Sequence, residues 1–106
     1  METKLSLKHL KPATQKWVAE IMSNYELESQ HIRLLILAGE SWDRAMQARK
    51  AIEVSGMIYL DKAGQPKPRP ETIIERDQKI LFARLMRELS LDNETLPDSR
   101  LPHLKY

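Results

Sequence analysis

A proline-rich segment interrupts two long helical patterns and sets the main limit on how this chain can fold. Residues 56–71 read GMIYLDKAGQPKPRPE and hold three of the chain's six prolines. These prolines stand at alternate positions, Pro66, Pro68 and Pro70. Each disfavours helical backbone at the residue before it, so the stretch that they occupy must be extended. We predict a connector that its own sequence holds in place, and not a flexible linker.

The rest of this connector has the pattern of a short hairpin. Met57–Leu60 is a β-prone run, and Asp61–Gly64 follows as a turn in which Gly64 can take a positive φ. Gly56 precedes the run, at a place where glycine commonly ends a helix. We therefore predict a hairpin-like connector between two helices, with Pro70 in the first turn of the second one.

Apolar residues at three-to-four spacing predict three helices. The first runs from about Pro12 to Tyr25, the second from about Gln30 to Ser55 with Ser29 as its N-cap, and the third from about Pro70 to Ser90. The second would be roughly 40 Å long, at ~1.5 Å per residue. The residues on the three main apolar faces are Trp17, Val18, Ile21, Met22 and Tyr25; Leu34, Leu35, Leu37, Ala38, Trp42, Ala45, Ala48 and Ile52; and Ile74, Leu81, Phe82, Leu85, Met86 and Leu89.

The predicted fold class is all-α, with long antiparallel helices and the short connector. At 106 residues the chain fits one domain. We assign residues 1–92 to a single helical domain and residues 93–106 to an extended or disordered tail.

The second helix has more apolar residues than one core face needs. Ile32, Ile36 and Val54 lie on its otherwise polar side, which a lone amphipathic helix would not show. We expect these three residues to contact a neighbouring chain. The chain also has no cysteine, so disulfides cannot stabilise it and oligomerisation is a plausible substitute.

The charge pattern is more informative than the net charge, which is only +2. Two groups of cations stand out, either as candidate DNA contacts or as scattered solvated charge: Lys62, Lys67 and Arg69 in the connector, and Lys4, Lys8 and Lys11 near the start. No run of 18 apolar residues occurs, so no membrane span is expected. The start METKLSLKHLK lacks the apolar core of a signal peptide.

Residues for catalysis are not grouped in the sequence. It has no glycine-rich phosphate loop, GxSxG or HExxH motif, and its histidines are scattered. We expect Glu75 on the third helix to be solvated, and Trp17 and Trp42 to serve in the core or an interface. We therefore predict no enzyme activity, no metal site and no cofactor.

The order of these signals resembles the phage terminase small subunits, over residues 8 to 92. The resemblance rests on Trp17, the run LLILAGESWDRA, Gly56 with Tyr59, Gly64, Pro70 and the closing RLMRELSLD. It implies that residues 1–92 form the oligomerisation and DNA-handling domain of a non-enzymatic subunit. Such subunits would assemble into a ring of about eight to ten copies. Such a subunit would bind double-stranded viral DNA in the cytoplasm of the bacterial host and present it to the large subunit, which carries the ATPase and nuclease.

Two departures and two rivals accompany this resemblance. Many relatives begin with a longer segment rich in arginine and lysine, which this sequence lacks. Its last stretch is also brief and acidic, and not basic. A helical adaptor that binds only protein is one alternative function. A small helix-turn-helix regulator is the other, although the face after the joint at residues 26–29 reads LLILAG, which is too apolar for a DNA groove.

Overall fold

The computed structural model describes residues 6–90 and 103–104, and it is mostly helical. Its helices are α1 (Pro12–Asn24), α2 (Ser29–Ser55) and α3 (Pro70–Leu89). Its strands are β1 (Tyr25–Glu26), β2 (Ile58–Leu60), β3 (Pro66–Pro68) and β4 (His103–Leu104). The β2–β3 pair is an antiparallel hairpin between α2 and α3. The predicted helices and the hairpin connector are therefore confirmed, with helix limits within a residue of those expected.

Helices α2 and α3 run antiparallel and form the main packing seam of the molecule. Trp42 meets Phe82, with ring centroids 5.2 Å apart, and Arg49 meets Glu75 nearer the hairpin. Later residues of α2 therefore contact earlier residues of α3, as antiparallel helices require. The residues that α2 buries along this length are mostly small: Ala38, Ser41, Ala45 and Ala48. Small side chains let a neighbouring helix approach closely.

The hairpin end of this seam is polar. Glu75, which we predicted to be solvated, is instead paired with two cations. Its carboxylate lies 2.7 Å from Lys79 Nζ and 3.7 Å from Arg49, and its side chain is only 18% exposed. The hydrogen bond from Lys79, together with the charge of Arg49, holds the pKa of Glu75 below its ordinary value. Lys79 lies four positions after Glu75 on the same helix, whereas Arg49 comes from α2, and spacing within α3 alone does not show the second contact.

The apolar core lies at the opposite end, where α1, the start of α2 and the end of α3 meet. Its buried members are Leu10, Val18, Leu35 and Leu89, with Trp17, Ile21, Met22, Leu34 and Met86 packed around them. This arrangement confirms most of the predicted faces. Leu37, Trp42 and Ile74 are the exceptions, because they remain 39%, 44% and 43% exposed.

Two contacts hold the start of α1 against the middle of α2. A Cβ atom on Gly39 would lie 3.0 Å from Thr14 Cγ2 and 3.4 Å from Leu10 Cδ1, so the two segments touch. The Asp43 carboxylate accepts hydrogen bonds from the Lys11 backbone N–H at 2.8 Å and from Thr14 Oγ1 at 2.5 Å. Asp43 therefore caps α1 from a neighbouring helix, since Lys11, the N-cap residue, offers no side-chain cap of its own.

Helix α2 has a different start from the predicted one. Its N-cap is Glu28, whose side chain accepts the His31 backbone N–H, while His31 Nδ1 accepts the Glu28 N–H at 3.2 Å. The prediction of Ser29 as N-cap was therefore wrong, because this reciprocal capping box uses the residue before it. The predicted end is confirmed: the helix stops at Ser55, and Gly56 has φ +84°.

Replacing Gly56 by valine is expected to destabilise the protein by about 1–2 kcal/mol. A Cβ atom there would meet nothing within 4 Å, so the cost arises from the positive φ and not from a clash. Chemical denaturation would measure it, with Met57→Val as the control at an exposed neighbour. Equal stability of Gly56→Val and the unmodified protein would show that the backbone at this position tolerates a side chain without strain.

The segment after α3 returns to the α1–α2 joint. Strand β4 pairs antiparallel with β1, with Leu104 opposite Tyr25 and His103 opposite Glu26. This strand pair was not predicted. The rest of the predicted tail, residues 93–102 and 105–106, lies outside the described residues.

Candidate functional site

The hairpin has two chemically distinct faces. Ile58 lies opposite Pro68, Tyr59 opposite Lys67, and Leu60 opposite Pro66. Paired residues share a face and successive residues alternate between faces. One face therefore carries four apolar side chains: Ile58, Leu60, Pro66 and Pro68. The other carries Tyr59 and Lys67, and the next pair toward the helices, Met57 and Arg69, continues it. We call these the apolar face and the basic face.

The turn of the hairpin is fixed by Asp61. Its Oδ1 accepts the backbone N–H groups of Ala63 and Gln65, both at 2.9 Å. Its carbonyl oxygen accepts the Gly64 N–H at 2.9 Å, and Gly64 takes the predicted positive φ of +78°. Because the carboxylate is used within the turn, the nearest acid to the connector cations is already hydrogen-bonded. Lys62 thus projects from an ordered tip.

The three predicted connector cations are not equivalent. Lys62 and Lys67 are exposed. Arg69 is half-buried, and its Nε donates to the carbonyl oxygen of Ser55 at 3.2 Å. A cation at this position is favourable because the last carbonyl groups of a helix carry partial negative charge. Arg69 therefore fastens the hairpin to α2, while the two lysines remain available to a ligand.

The structure does not bring the second group of cations to the hairpin. Lys8 is exposed in the segment before α1, and Lys11 begins α1 beside Asp43. Asp43 lies 12 positions before the end of α2, which corresponds to about 18 Å of helix. Lys4 lies outside the described residues. The two groups can therefore contact one straight DNA segment only at well-separated points.

The three predicted interface residues also differ. Val54 is 80% exposed and stands beside the hairpin. Ile32 is half-buried. Ile36 is only 9% exposed, and it lines an open depression together with Ser6 and His9. The segment before α1 therefore covers part of Ile36, which we had expected a neighbouring chain to cover. Val54, which stays exposed, gives the clearest reason to expect a neighbouring chain.

An aromatic cleft between the three helices was not predicted. It has a volume of about 250 Å³ and is lined by Ala13, Thr14, Trp17, Trp42 and Phe82. The centroids of Trp17 and Phe82 lie 6.1 Å apart. The sequence showed that these aromatic residues share apolar faces, but not that the faces leave a gap. The cleft is apolar and has no charged group in its lining, so it can hold an apolar side chain.

Comparison with known proteins finds no matching family model, no similar curated protein and no similar solved structure. In residues 6–90, no group of three or more histidine, aspartate or glutamate side chains is placed to hold a metal ion. Among the helices of the described part, none is both long and apolar enough to cross a membrane.

Proposed function

We propose that this chain is a terminase small subunit, a non-enzymatic protein of phage genome packaging. In this proposal it assembles into a ring, binds double-stranded viral DNA and presents that DNA to the large subunit. The observation that carries the proposal is the hydrogen-bonded hairpin, which holds Lys62 and Lys67 exposed at one end of the α2–α3 pair. The resemblance described above supplies the biological setting.

The hairpin suits contact with a phosphate backbone for an entropic reason. Its lysines are carried by a fixed turn and by a strand with proline on either side of Lys67, so less backbone freedom is lost on binding than in a loose loop. One copy offers only about two free cations, which gives weak and salt-sensitive binding. Several copies in one assembly would add their contacts on the same DNA through effective concentration.

Exposed apolar side chains around the hairpin support assembly. Val54, Met57, Ile58 and Leu60 are 80%, 62%, 58% and 68% exposed, and Ile73 in the first turns of α3 is 48% exposed. Large exposed apolar side chains in one region of a molecule often mark a protein interface. Assembly through these residues would set many hairpins side by side.

The alternative function is a helical adaptor that binds only protein, and the aromatic cleft is the observation that favours it. Trp42 is 44% exposed at its rim, and tryptophan is common among residues that dominate protein binding. In that case the hairpin lysines would only keep an exposed element soluble.

Light scattering with and without a double-stranded DNA fragment separates these functions. A ring gives the mass of eight or more subunits, and that mass rises when DNA is added. A dimer that binds DNA would instead favour the helix-turn-helix regulator. A monomer whose mass DNA leaves unchanged would favour the adaptor and overturn the proposal.

Replacing Val54 by glutamate is expected to reduce the mass of the assembly without unfolding the chain. Its side chain is largely exposed in the single chain, so the charge costs little until a neighbour buries it. Val54→Thr, which keeps the shape and adds no charge, is the control. An unchanged mass for Val54→Glu would place the interface elsewhere. Ile36→Glu is a poorer test because Ile36 is already buried within the chain.

A further inference from the structure

The two outer edges of the hairpin differ in their ability to accept another strand. Asp61 N–H bonds to the Gln65 carbonyl and Arg69 N–H bonds to the Met57 carbonyl, so the odd-numbered positions turn their backbone groups inward. The even-numbered positions therefore turn theirs outward. On β3 both outward positions are prolines, which have no N–H to donate. The alternate prolines thus leave the internal ladder intact and close the outer edge of β3.

The outer edge of β2 is open. Ile58 and Leu60 direct their N–H and carbonyl groups away from β3, and within the described residues β2 pairs with β3 alone. Both side chains are more than half exposed. An uncovered strand edge with apolar side chains is a template for pairing with another strand.

We propose that the outer edge of β2 pairs antiparallel with the same edge of a second copy of this chain. Each copy has one open edge, so pairing between the hairpins of two copies can only join β2 to β2. The sequence of β2 suits such a contact. With the two-fold axis at Tyr59, Ile58 of each copy lies opposite Leu60 of the other. These residues form the hydrogen-bonded pairs, and the two Tyr59 residues form the non-hydrogen-bonded pair between them.

The contact would produce a four-stranded sheet in the order β3–β2–β2–β3. A two-stranded hairpin is marginally stable alone, and additional strands stabilise it. Paired residues share a face, so the basic faces of both hairpins would lie on one side of the sheet. A two-fold contact does not close a ring. A larger assembly would therefore contain an even number of subunits and a second kind of contact. This inference stands independently of DNA binding.

A single-cysteine variant tests the register directly, because the chain has no cysteine of its own. Opposite residues in a non-hydrogen-bonded pair have Cα atoms about 4.5 Å apart, which a disulfide can bridge. Tyr59→Cys should therefore form a disulfide-linked dimer under mild oxidation. Lys67→Cys is the matched control on the same face. Its two copies would be three strand spacings, about 14 Å, apart, so we expect at least tenfold less dimer.

A second variant tests whether the strand edge makes the contact. Leu60→Pro removes an outward N–H and leaves the β2–β3 ladder in place. Combined with Tyr59→Cys, it should abolish most of the disulfide-linked dimer, whereas Pro66→Ala in the same background should not. Far-UV circular dichroism checks that the helices persist in each variant. Monomeric Tyr59→Cys, equal dimer from Lys67→Cys, or dimer that survives Leu60→Pro would each overturn the proposal.

Discussion

Replacing Leu35 by alanine is expected to lower the free energy of unfolding by about 2–5 kcal/mol. Leu35 is fully buried where α2 meets α1 and α3, in one cluster with Val18 and Leu89. The substitution removes part of the apolar core and leaves a cavity that helices from three parts of the chain would have to close. Chemical denaturation followed by circular dichroism measures the change.

Leu37→Ala is the matched control, because Leu37 lies two positions away on the same helix and is 39% exposed. We expect it to cost less than about 1 kcal/mol, since a partly exposed side chain packs against fewer neighbours. Similar costs for both variants would show that the core is not centred on Leu35.

Replacing Gly39 by valine is expected to cost about 1–3 kcal/mol through overpacking. The glycine lies where α2 touches Thr14 and Leu10, and a Cβ atom already falls 3.0 Å from Thr14. The branched side chain would push α1 away from α2 and strain the hydrogen bonds to Asp43. Thermal unfolding, followed by the fluorescence of Trp17 on α1 and Trp42 on α2, measures the effect.

Gly39→Ala separates crowding from helix propensity. Alanine gains about 1 kcal/mol of helix propensity over glycine and adds only the Cβ atom, so its net effect should be much smaller than that of valine. Greater stability for Gly39→Val than for Gly39→Ala would contradict the close approach of the two segments.

Helix limits were predictable because local residues impose them. Pro12 and Pro70 begin α1 and α3, where a first-turn proline loses no hydrogen bond. Gly56 ends α2 with a positive φ, and Gly64 also takes a positive φ in the turn of the hairpin. Each of these outcomes depends on the backbone preference of one residue, which the sequence states directly.

Contacts between distant segments could not be predicted from helical periodicity. Helical spacing placed Ile36 on the otherwise polar side of α2, but the segment before α1 lies against it. The same spacing placed Trp42 on the main apolar face, for the core or an interface, but did not show that it lines a cleft and stays partly exposed. Asp43 is not among the residues of the predicted apolar face of α2, yet it caps α1. Each outcome depends on where a second element lies, which spacing within one helix does not encode.

The candidate site was predicted in part. The sequence located the hairpin and its cations, because prolines, glycine and lysines are local signals. It did not distinguish Arg69 from Lys62 and Lys67, because the hydrogen bond from Arg69 to Ser55 forms only when the hairpin folds back onto α2. The two faces could not be assigned either, since they depend on the register that sets Tyr59 opposite Lys67. With this register, the alternate prolines occupy the outward-facing positions of β3.

The salt dependence of DNA affinity tests the proposed function most directly. The affinity of the assembled protein for a double-stranded fragment would be titrated against salt for the unmodified chain and for Lys62→Ala/Lys67→Ala. Lys16→Ala/Arg44→Ala is the charge-matched control, because both residues are exposed and distant from the hairpin. Arg69 is left in place, since its removal would loosen the hairpin.

We expect steep salt dependence for the unmodified protein and for the control. For the hairpin variant, the slope of log affinity against log salt should fall in magnitude by roughly 0.9 for each phosphate that the protein no longer neutralises. Equal slopes for all three proteins would contradict the account. They would move any DNA contact to Lys4, Lys8 and Lys11 or to the arginines of α3, and would leave the hairpin a purely structural element.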